Sequence, residues 1–243
     1  MYVPAHFAVT DPAALFAFVE RHSFGLLVSQ LGGEPFATHL PFLLERQAGP
    51  HGTLVGHMAR ANPQWRDLAD QACLVVFGGP HAYVSPSWYE SEKVVPTWNY
   101  AAVHAYGRAR LVEDAPGLLD IVRRSVNLYE SSMPTPWVLD EPGPFVDRML
   151  TQIVGFRIEV ERLEGKFKLN QNHPADRREK VAAALEAQGG ESAAVAEMMR
   201  TLAAPPPLLS LSNASAASSG VRTTMCFGMV APAAANSSLA WYS

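Results

Sequence analysis

Short apolar runs punctuated by glycine and proline dominate the first two thirds of the chain. Phe24–Leu31 (FGLLVSQL) leads into Gly32-Gly33-Glu34, and Phe36–Leu44 (FATHLPFLL) follows. Two β-rich runs about a glycine turn predict an antiparallel hairpin, because glycine supplies the positive φ that such a turn needs. Thr53–Ala59 (TLVGHMA) adds a third strand and Ala72–Phe77 (ACLVVF) a short apolar fourth. Val94–Val112 makes a long fifth, which must bend or carry a bulge to stay inside a compact domain. Ile153–Glu161 (IVGFRIEVE) alternates cleanly and closes the set of six. No regular helices of crossover length separate these runs, so a parallel βαβ sheet is not expected. Closing an antiparallel sheet into a barrel best removes its exposed edges. The expectation is a mainly β, α+β fold: a six-stranded antiparallel barrel with peripheral helices.

Helical spacing marks that periphery. Thr10 or Asp11 can cap a helix that begins with Pro12 and runs to about His22, with Leu15, Phe16 and Val19 inward. Asn62 and Pro63 can start a short helix carrying Trp65, Leu68 and Ala69. Asp114–Tyr129 places Leu118, Leu119, Val122 and Val126 at helical spacing, and Pro174–Gln188 and Glu191–Leu202 form a pair divided by Gly189-Gly190. From Ala204 onward Ala, Ser and Pro supply 21 of 40 residues, with no acid and no lysine. Such a segment buries too little apolar surface to offset its ordering entropy. The expected organisation is a barrel domain over residues 1–173, a helical segment over 174–203 packed on or beside it, and a disordered low-complexity tail over 204–243.

Composition narrows the class. Of 243 residues, 48% are apolar and 17% charged, which gives ample core material. No run approaches the roughly 18 to 20 apolar residues of a membrane span, and Met1–His6 lacks the pattern of a signal peptide, so a cytoplasmic protein with no membrane partner is expected. Two cysteines, Cys73 and Cys226, cannot make a disulfide framework, which fits a reducing compartment. The formal charge is −4, and Arg222 is the only charged residue after Ala203, so residues 1–203 carry −5. That argues against a strongly electropositive nucleic-acid binder, while leaving room for a local basic patch.

Four segments concentrate the candidate chemistry. Gly56–Trp65 (GHMARANPQW) puts Arg60 and Asn62 where a strand gives way to a helix N-terminus, a junction that suits a phosphate held by backbone N–H groups and an arginine fork. The same residues equally suit a solvated arginine and a plain helix cap. Gly79–Tyr89 (GPHAYVSPSWY) and Pro96–Gly107 (PTWNYAAVHAYG) gather Tyr83, Trp88, Trp98, Tyr100, His81 and His104. Flat aromatic surfaces with polar tips suit a planar heteroaromatic ligand, a subunit interface or simple core packing. Glu164–His173 (EGKFKLNQNH) alternates Lys166 and Lys168 to one side of an extended stretch, fit to neutralise an anion or to keep a sheet edge soluble. Arg177, Arg178 and Lys180 share their helix with Asp176, Glu179 and Glu186, a mixed solvated face. No histidine pair has the spacing of a zinc site, and no nucleophile elbow, phosphate loop or dinucleotide fingerprint is present. No metal site is expected, no catalytic residue is assigned, and any chemistry would need an organic cofactor.

These strings, together with MYVPAHF (Met1–Phe7), FGLLVS, HLPFLL and KFKLNQNHP, resemble the PaiB-type FMN-binding negative transcriptional regulators over about residues 1–200. The resemblance implies a split β-barrel like that of pyridoxamine-phosphate oxidases and flavin reductases, homodimeric, with FMN at the subunit interface. It implies that Thr38, His39, Leu40 and Pro41 line the isoalloxazine. His57, Met58, Ala59, Arg60 and Asn62 would lead into the phosphate site, with Arg60 as main charge partner. Trp98 and Asn99 would flank the ring, from either subunit, and Lys166, Lys168 and Gln171 would complete the pocket. Asn170 and His173 stand where the family pattern expects Ser and Arg, which weakens any anion contact at 173.

The implied function is negative transcriptional regulation. No helix-turn-helix is evident and the region is acidic, so direct DNA contact is poorly motivated, and regulation through a partner protein or flavin redox state is the other route. The alternative is an FMN-dependent oxidoreductase acting on a nicotinamide nucleotide or small organic substrate, with His39, Tyr100 and His104 as candidate proton donors. A third is an FMN-storage module without chemistry.

Overall fold

A computed structural model describes residues 1–69, 71–89, 93–139 and 143–203; the expected tail lies outside the described residues. The strands are β1 (Ala8–Val9), β2 (Phe24–Leu31), β3 (Glu34–Pro41), β4 (Leu43–Glu45), β5 (Thr53–Ala59), β6 (Ala72–Val84), β7 (Thr97–Val112) and β8 (Ile153–Lys168). The helices are α1 (Pro12–Arg21), α2 (Trp65–Leu68), α3 (Ala115–Glu130), α4 (Pro144–Leu150), α5 (Ala175–Gln188) and α6 (Gly190–Ala203). The β2–β3 hairpin forms as its sequence predicts, with Gly32 and Gly33 at φ 60° and 88°.

All strands join one antiparallel sheet in the order β3-β2-β6-β7-β8-β5-β4, with β1 added beside β8. Among the described residues the six strands expected are therefore eight, and the hydrogen-bonded order is not closed. Two causes account for the extra strands. Pro41 has no N–H to extend a ladder, and the expected Phe36–Leu44 run divides around Phe42 into β3 and β4. The Ala8–Val9 pair lies against Gly165 and Lys166, too short to register as a strand in the sequence. The two ends of the order, β3 and β4, are nonetheless consecutive in the chain through Phe42, so the sheet must roll back on itself.

Two strands also outrun their expected ends. β6 continues past Gly78-Gly79-Pro80 to Val84 because the ladder with β7 slips there through an irregularity between Gly78 and His81. β8 continues beyond Glu161 to Lys168, so both lysines stand on the strand rather than beyond it. The bend expected in the long fifth strand falls at Tyr106–Gly107, where the β7–β8 register shifts. Gly107 allows it: a Cβ there would lie 2.1 Å from the Glu159 carbonyl oxygen.

The inner face carries Leu27, Val75, Phe77, Val103, Ala105, Phe156 and Ile158, all fully buried. α5 and α6 complete this core with Val181, Leu185, Val195 and Met199, and Arg200 of α6 reaches Glu179 and Glu186 of α5 at 2.9 Å each. α4 has no counterpart in the sequence expectation, since its proline-rich surroundings signal loop. No helix among the described residues is long and apolar enough to cross a membrane.

Candidate functional site

Two groups of expected residues emerge, at opposite ends of β8. The first surrounds the β5–α2 junction, next to Ile153. Here Gln64, fully buried, ties three segments together. Its Nε2 donates to the Leu27 and Phe36 carbonyls at 3.3 Å each and to Ser29 Oγ at 3.0 Å, and its Oε1 accepts from Thr38 Oγ1 at 2.6 Å. Asn62 Nδ2 donates to the same Thr38 oxygen at 2.9 Å, and Asn62 Oδ1 accepts from the Gln64 backbone N–H at 2.9 Å. Thr38 and Asn62, expected at the flavin ring and the phosphate, are thus joined directly. Asn62 serves a turn before α2 rather than capping a helix at its own position, since α2 starts at Trp65.

Arg60 lies at this end too, but its fork is committed. Nε and Nη2 donate to the Thr151 and Ile153 carbonyls at 3.1 Å each, Nη1 pairs with Glu113 at 3.1 Å, and the guanidinium sits 5.6 Å over the Trp65 ring. On β5, Met58 points into the core and Ala59 is exposed. His57 Nδ1 is buried without a hydrogen-bond partner, and burial holds the imidazole pKa below its ordinary value.

The second group stands on the outward face of β6, β7 and β8, near Lys168. Strand alternation and the register place His81, Tyr100 and Lys168 in one row, and Gly78, Ala102 and Lys166 in the next. Trp98, 53% exposed, packs near His81 and Tyr83 with ring centroids 5.9 and 6.1 Å away. The result is a shallow groove of about 360 Å³, floored by Gly78, Gly79 and Ala102 and walled by His81, Trp98 and Tyr100. Its cations are close by. Lys166 lies 5.2 Å from the Tyr100 ring centre and 5.5 Å from that of Tyr2, and Lys168 Nζ donates to Thr97 Oγ1. Burial lowers the Lys168 pKa; Lys166 adds to that, and Tyr100 opposes it.

Alternation also separates neighbours that the sequence grouped. Thr38 and Leu40 face inward, while His39 turns outward and stacks with exposed Phe24 at 6.0 Å. Pro41 shares the His39 parity. Trp98 is outward and Asn99 inward, fully buried beneath α6, where Nδ2 reaches only the Met199 sulfur at 3.5 Å and Oδ1 has no partner. Gln171 spends its amide locally, accepting from the Leu169 N–H at 2.7 Å and donating to the Phe167 carbonyl. Sequence reasoning missed Gln64, which sits in plain view in the NPQW string but has no chemistry of its own, and Gly78 and Ala102, which matter only as absent side chains.

Residues 1–162 match the family model described as "Putative FMN-binding domain". The chain belongs to that FMN-binding family. A relative from Bacillus subtilis (strain 168), "Protease synthase and sporulation protein PAI 2", is 42% identical over 176 residues, covering 71% of this chain and 83% of its own. Membership bears out the resemblance drawn from the motifs, and the cofactor that the family assigns is FMN. Among solved structures, the flavocytochrome Anf3 from Azotobacter vinelandii superposes with a TM-score of 0.54 at 16% identity, over 68% of this chain and 72% of that one. The FAD and heme binding protein from Mycobacterium smegmatis gives 0.51 at 17% identity, over 75% and 80%. At such identities these two speak for the fold alone.

Two features test whether this family's cofactor fits the residues present. A Cβ placed on Gly78 would meet no heavy atom within 4 Å, so the groove floor is open to a flat ring beside two lysines. Beside that floor Ala102 pairs with Lys166 and Tyr100 with Lys168, so two ammonium groups stand on the strand next to the groove. The groove fits the group. His57 Nδ1 and Asn99 Oδ1, buried without partners, lie outside it, His57 toward the other end of β8 and Asn99 beneath α6.

Proposed function

We propose that the protein is a cytoplasmic, homodimeric FMN-binding split-barrel protein that acts as a negative regulator of transcription. The observation that carries the reading is the aromatic groove: a side-chain-free floor at Gly78, walls at Trp98 and Tyr100, and Lys166 and Lys168 alongside for the anionic end. A planar ring buries apolar area on such walls, and the ammonium groups offset a phosphate. The homodimer is supported by the outward face around the groove. His39, Leu26, Val76 and His104 form one row across four strands, apolar and imidazole groups that a second copy would cover.

Bound FMN supplies reversible electron and hydride acceptance. The chain's own residues would hold it: Trp98 and Tyr100 fix the ring and Lys166 and Lys168 the anion, while the Thr38–Asn62–Gln64 network keeps the β5–α2 end rigid. The regulatory half of the reading comes from similarity to the Bacillus subtilis sporulation protein. Three surface arginines are paired within the chain, Arg46 with Glu20, Arg124 with Glu45 and Asp120, and Arg157 with Glu45. The reading therefore runs through flavin state and a protein partner rather than through operator contact.

Purified protein should be yellow, or turn yellow after soaking with FMN and desalting, and should elute at twice the 26.4 kDa chain mass. Folded protein that stays colourless after soaking overturns the flavin assignment. A single-chain mass overturns the dimer. Bleaching of the bound flavin by NAD(P)H at a catalytic rate assigns the oxidoreductase function instead.

A further inference from the structure

We propose that the cavity between α1 and α6 is a second ligand site, for a flat, uncharged aromatic molecule, and that its filling is felt at Trp98. The cavity measures about 630 Å³, within the range of small-molecule sites. It exists because its wall residues are small. Ala14 and Ala17 of α1 face Ala194 of α6, and Gly78 and Gly79 form part of the lining between them. Phe18, Phe167 and Met198 supply the apolar surface. A flexible thioether in the same lining as two phenyl rings, whose centroids lie 5.0 Å apart, suits an aromatic guest, through favourable sulfur–ring contacts and easy rotamer adjustment. The charged groups at the exposed rim, Arg21 on α1 against Glu191 and Glu197 on α6, are of both signs, so a ligand of either charge meets a repulsive partner. A neutral ring avoids both.

The link to Trp98 has two strands. Gly78 and Gly79 line this cavity and also floor the aromatic groove, so backbone alone divides the two spaces. Glu191 of α6 lines the cavity and pairs with His81 Nδ1 at 3.0 Å, and His81 packs 5.9 Å from Trp98. A guest that shifts α6 moves Glu191, then His81, then the indole. Only the statement that Trp98 belongs to a flavin groove rests on the proposed function; the cavity and the linkage do not.

The test uses full-length, flavin-free protein labelled with 13C at methionine methyls and 15N at tryptophan, titrated with 2-naphthol. The Met198 methyl and the Trp98 indole N–H resonances, assigned through Met198→Leu and Trp98→Phe, should shift together and saturate at submillimolar probe. Ala194→Phe fills the cavity and should abolish both shifts. Should that variant fail to fold, Ala17→Leu fills it from the other helix. Glu191→Gln should keep the Met198 shift and reduce the Trp98 shift severalfold. No Met198 shift at the solubility limit of 2-naphthol, or an equal shift in the filled variant, overturns the site. An unchanged Trp98 shift in Glu191→Gln overturns the linkage. Because flavin is absent throughout, failure of FMN to bind leaves these outcomes intact.

Discussion

Replacing Gln64 with leucine tests whether the rigidity of the β5–α2 end rests on one buried amide. The side chain is fully buried, and leucine is similar in size but carries no polar atom. Its loss strands Thr38 Oγ1, which donates at 2.6 Å, and Ser29 Oγ, which accepts at 3.0 Å. The carbonyls of Leu27 and Phe36 lose weaker contacts at 3.3 Å. A buried polar group left without a partner costs about 1–3 kcal/mol. Thr38 keeps the Asn62 amide as a donor, so its loss falls at the low end. Two hydroxyls and two weakened carbonyls then give about 3 kcal/mol in all. For a chain of this size that lowers Tm by roughly 6–12 °C, at about 2–4 °C per kcal/mol. Urea unfolding should show a lower midpoint at unchanged slope. Thr38→Val removes the first of these bonds together with the Asn62 donation, and in a double-mutant cycle with Gln64→Leu it should couple by about 1 kcal/mol or more. A loss below about 1 kcal/mol for Gln64→Leu, or additivity of the two, would refute the anchoring role.

The other predictions bear on the flavin and on titration. Gly78→Val should leave thermal stability within about 0.5 kcal/mol, since its Cβ enters open space, yet abolish flavin absorbance; full flavin content would place the ring elsewhere. Lys168→Met should weaken FMN about tenfold relative to riboflavin, roughly 1.4 kcal/mol, in a fluorescence titration. Arg60→Ala, which breaks structural bonds, should cost about 1–2 kcal/mol of stability and shift the two flavins alike. The reverse ranking would give the phosphate to Arg60. His22, His57, His104 and His173 all have lowered pKa values, with burial the largest cause in each. Below about pH 6.5 the unfolded chain therefore binds more protons than the folded one, and stability present at pH 7 is lost as pH falls. His57→Gln should flatten that loss between pH 7 and 5, and an unchanged pH dependence of Tm would rule His57 out as a contributor. Cys73, its thiol pushed up to about 12 chiefly by burial, should stay unmodified by a disulfide reagent at pH 8 in a Cys226→Ser background until denaturant is added.

Strand cores were legible because period and punctuation are local properties. Phe24–Leu31 and Thr53–Ala59 appear with the limits that their runs suggest. What stayed hidden is long-range. Ala72–Phe77 looked complete because Gly78-Gly79-Pro80 signals a turn, yet β7 offers a partner on the far side of the irregularity and the strand resumes to Val84. Ile153–Glu161 looked complete because Arg162, Leu163 and Glu164 break the alternation, yet β7 carries the pairing on to Lys168. In the site, residue types were legible and their directions were not. Nothing in the string Trp98-Asn99 says which side chain is sealed beneath α6, because that depends on a helix a hundred residues later. Gln64 carried no signal since an amide earns a role only through the carbonyls around it.

Where the assigned residues lie bears on how many copies are needed to use them. Arg60 and Asn62 stand beside Ile153, at the start of the sixteen-residue β8, while Lys168 stands at its end, paired with Tyr100. Extended chain rises about 3.3 Å per residue, so the two groups are separated by up to roughly 50 Å of strand, less whatever its curvature recovers. One small cofactor cannot touch both ends within a single chain. If both are to line one site, the second end must come from another copy, and a two-fold arrangement supplies it twice over. This gives the dimer and the cofactor a shared test. Subunits mixed from Asn62→Leu and Lys168→Met parents should recover one intact site per heterodimer, with flavin content rising above that of either parent. Recovery absent from a mixture proven to exchange subunits would confine the cofactor to one end of β8, with the aromatic groove beside Lys168 as its place.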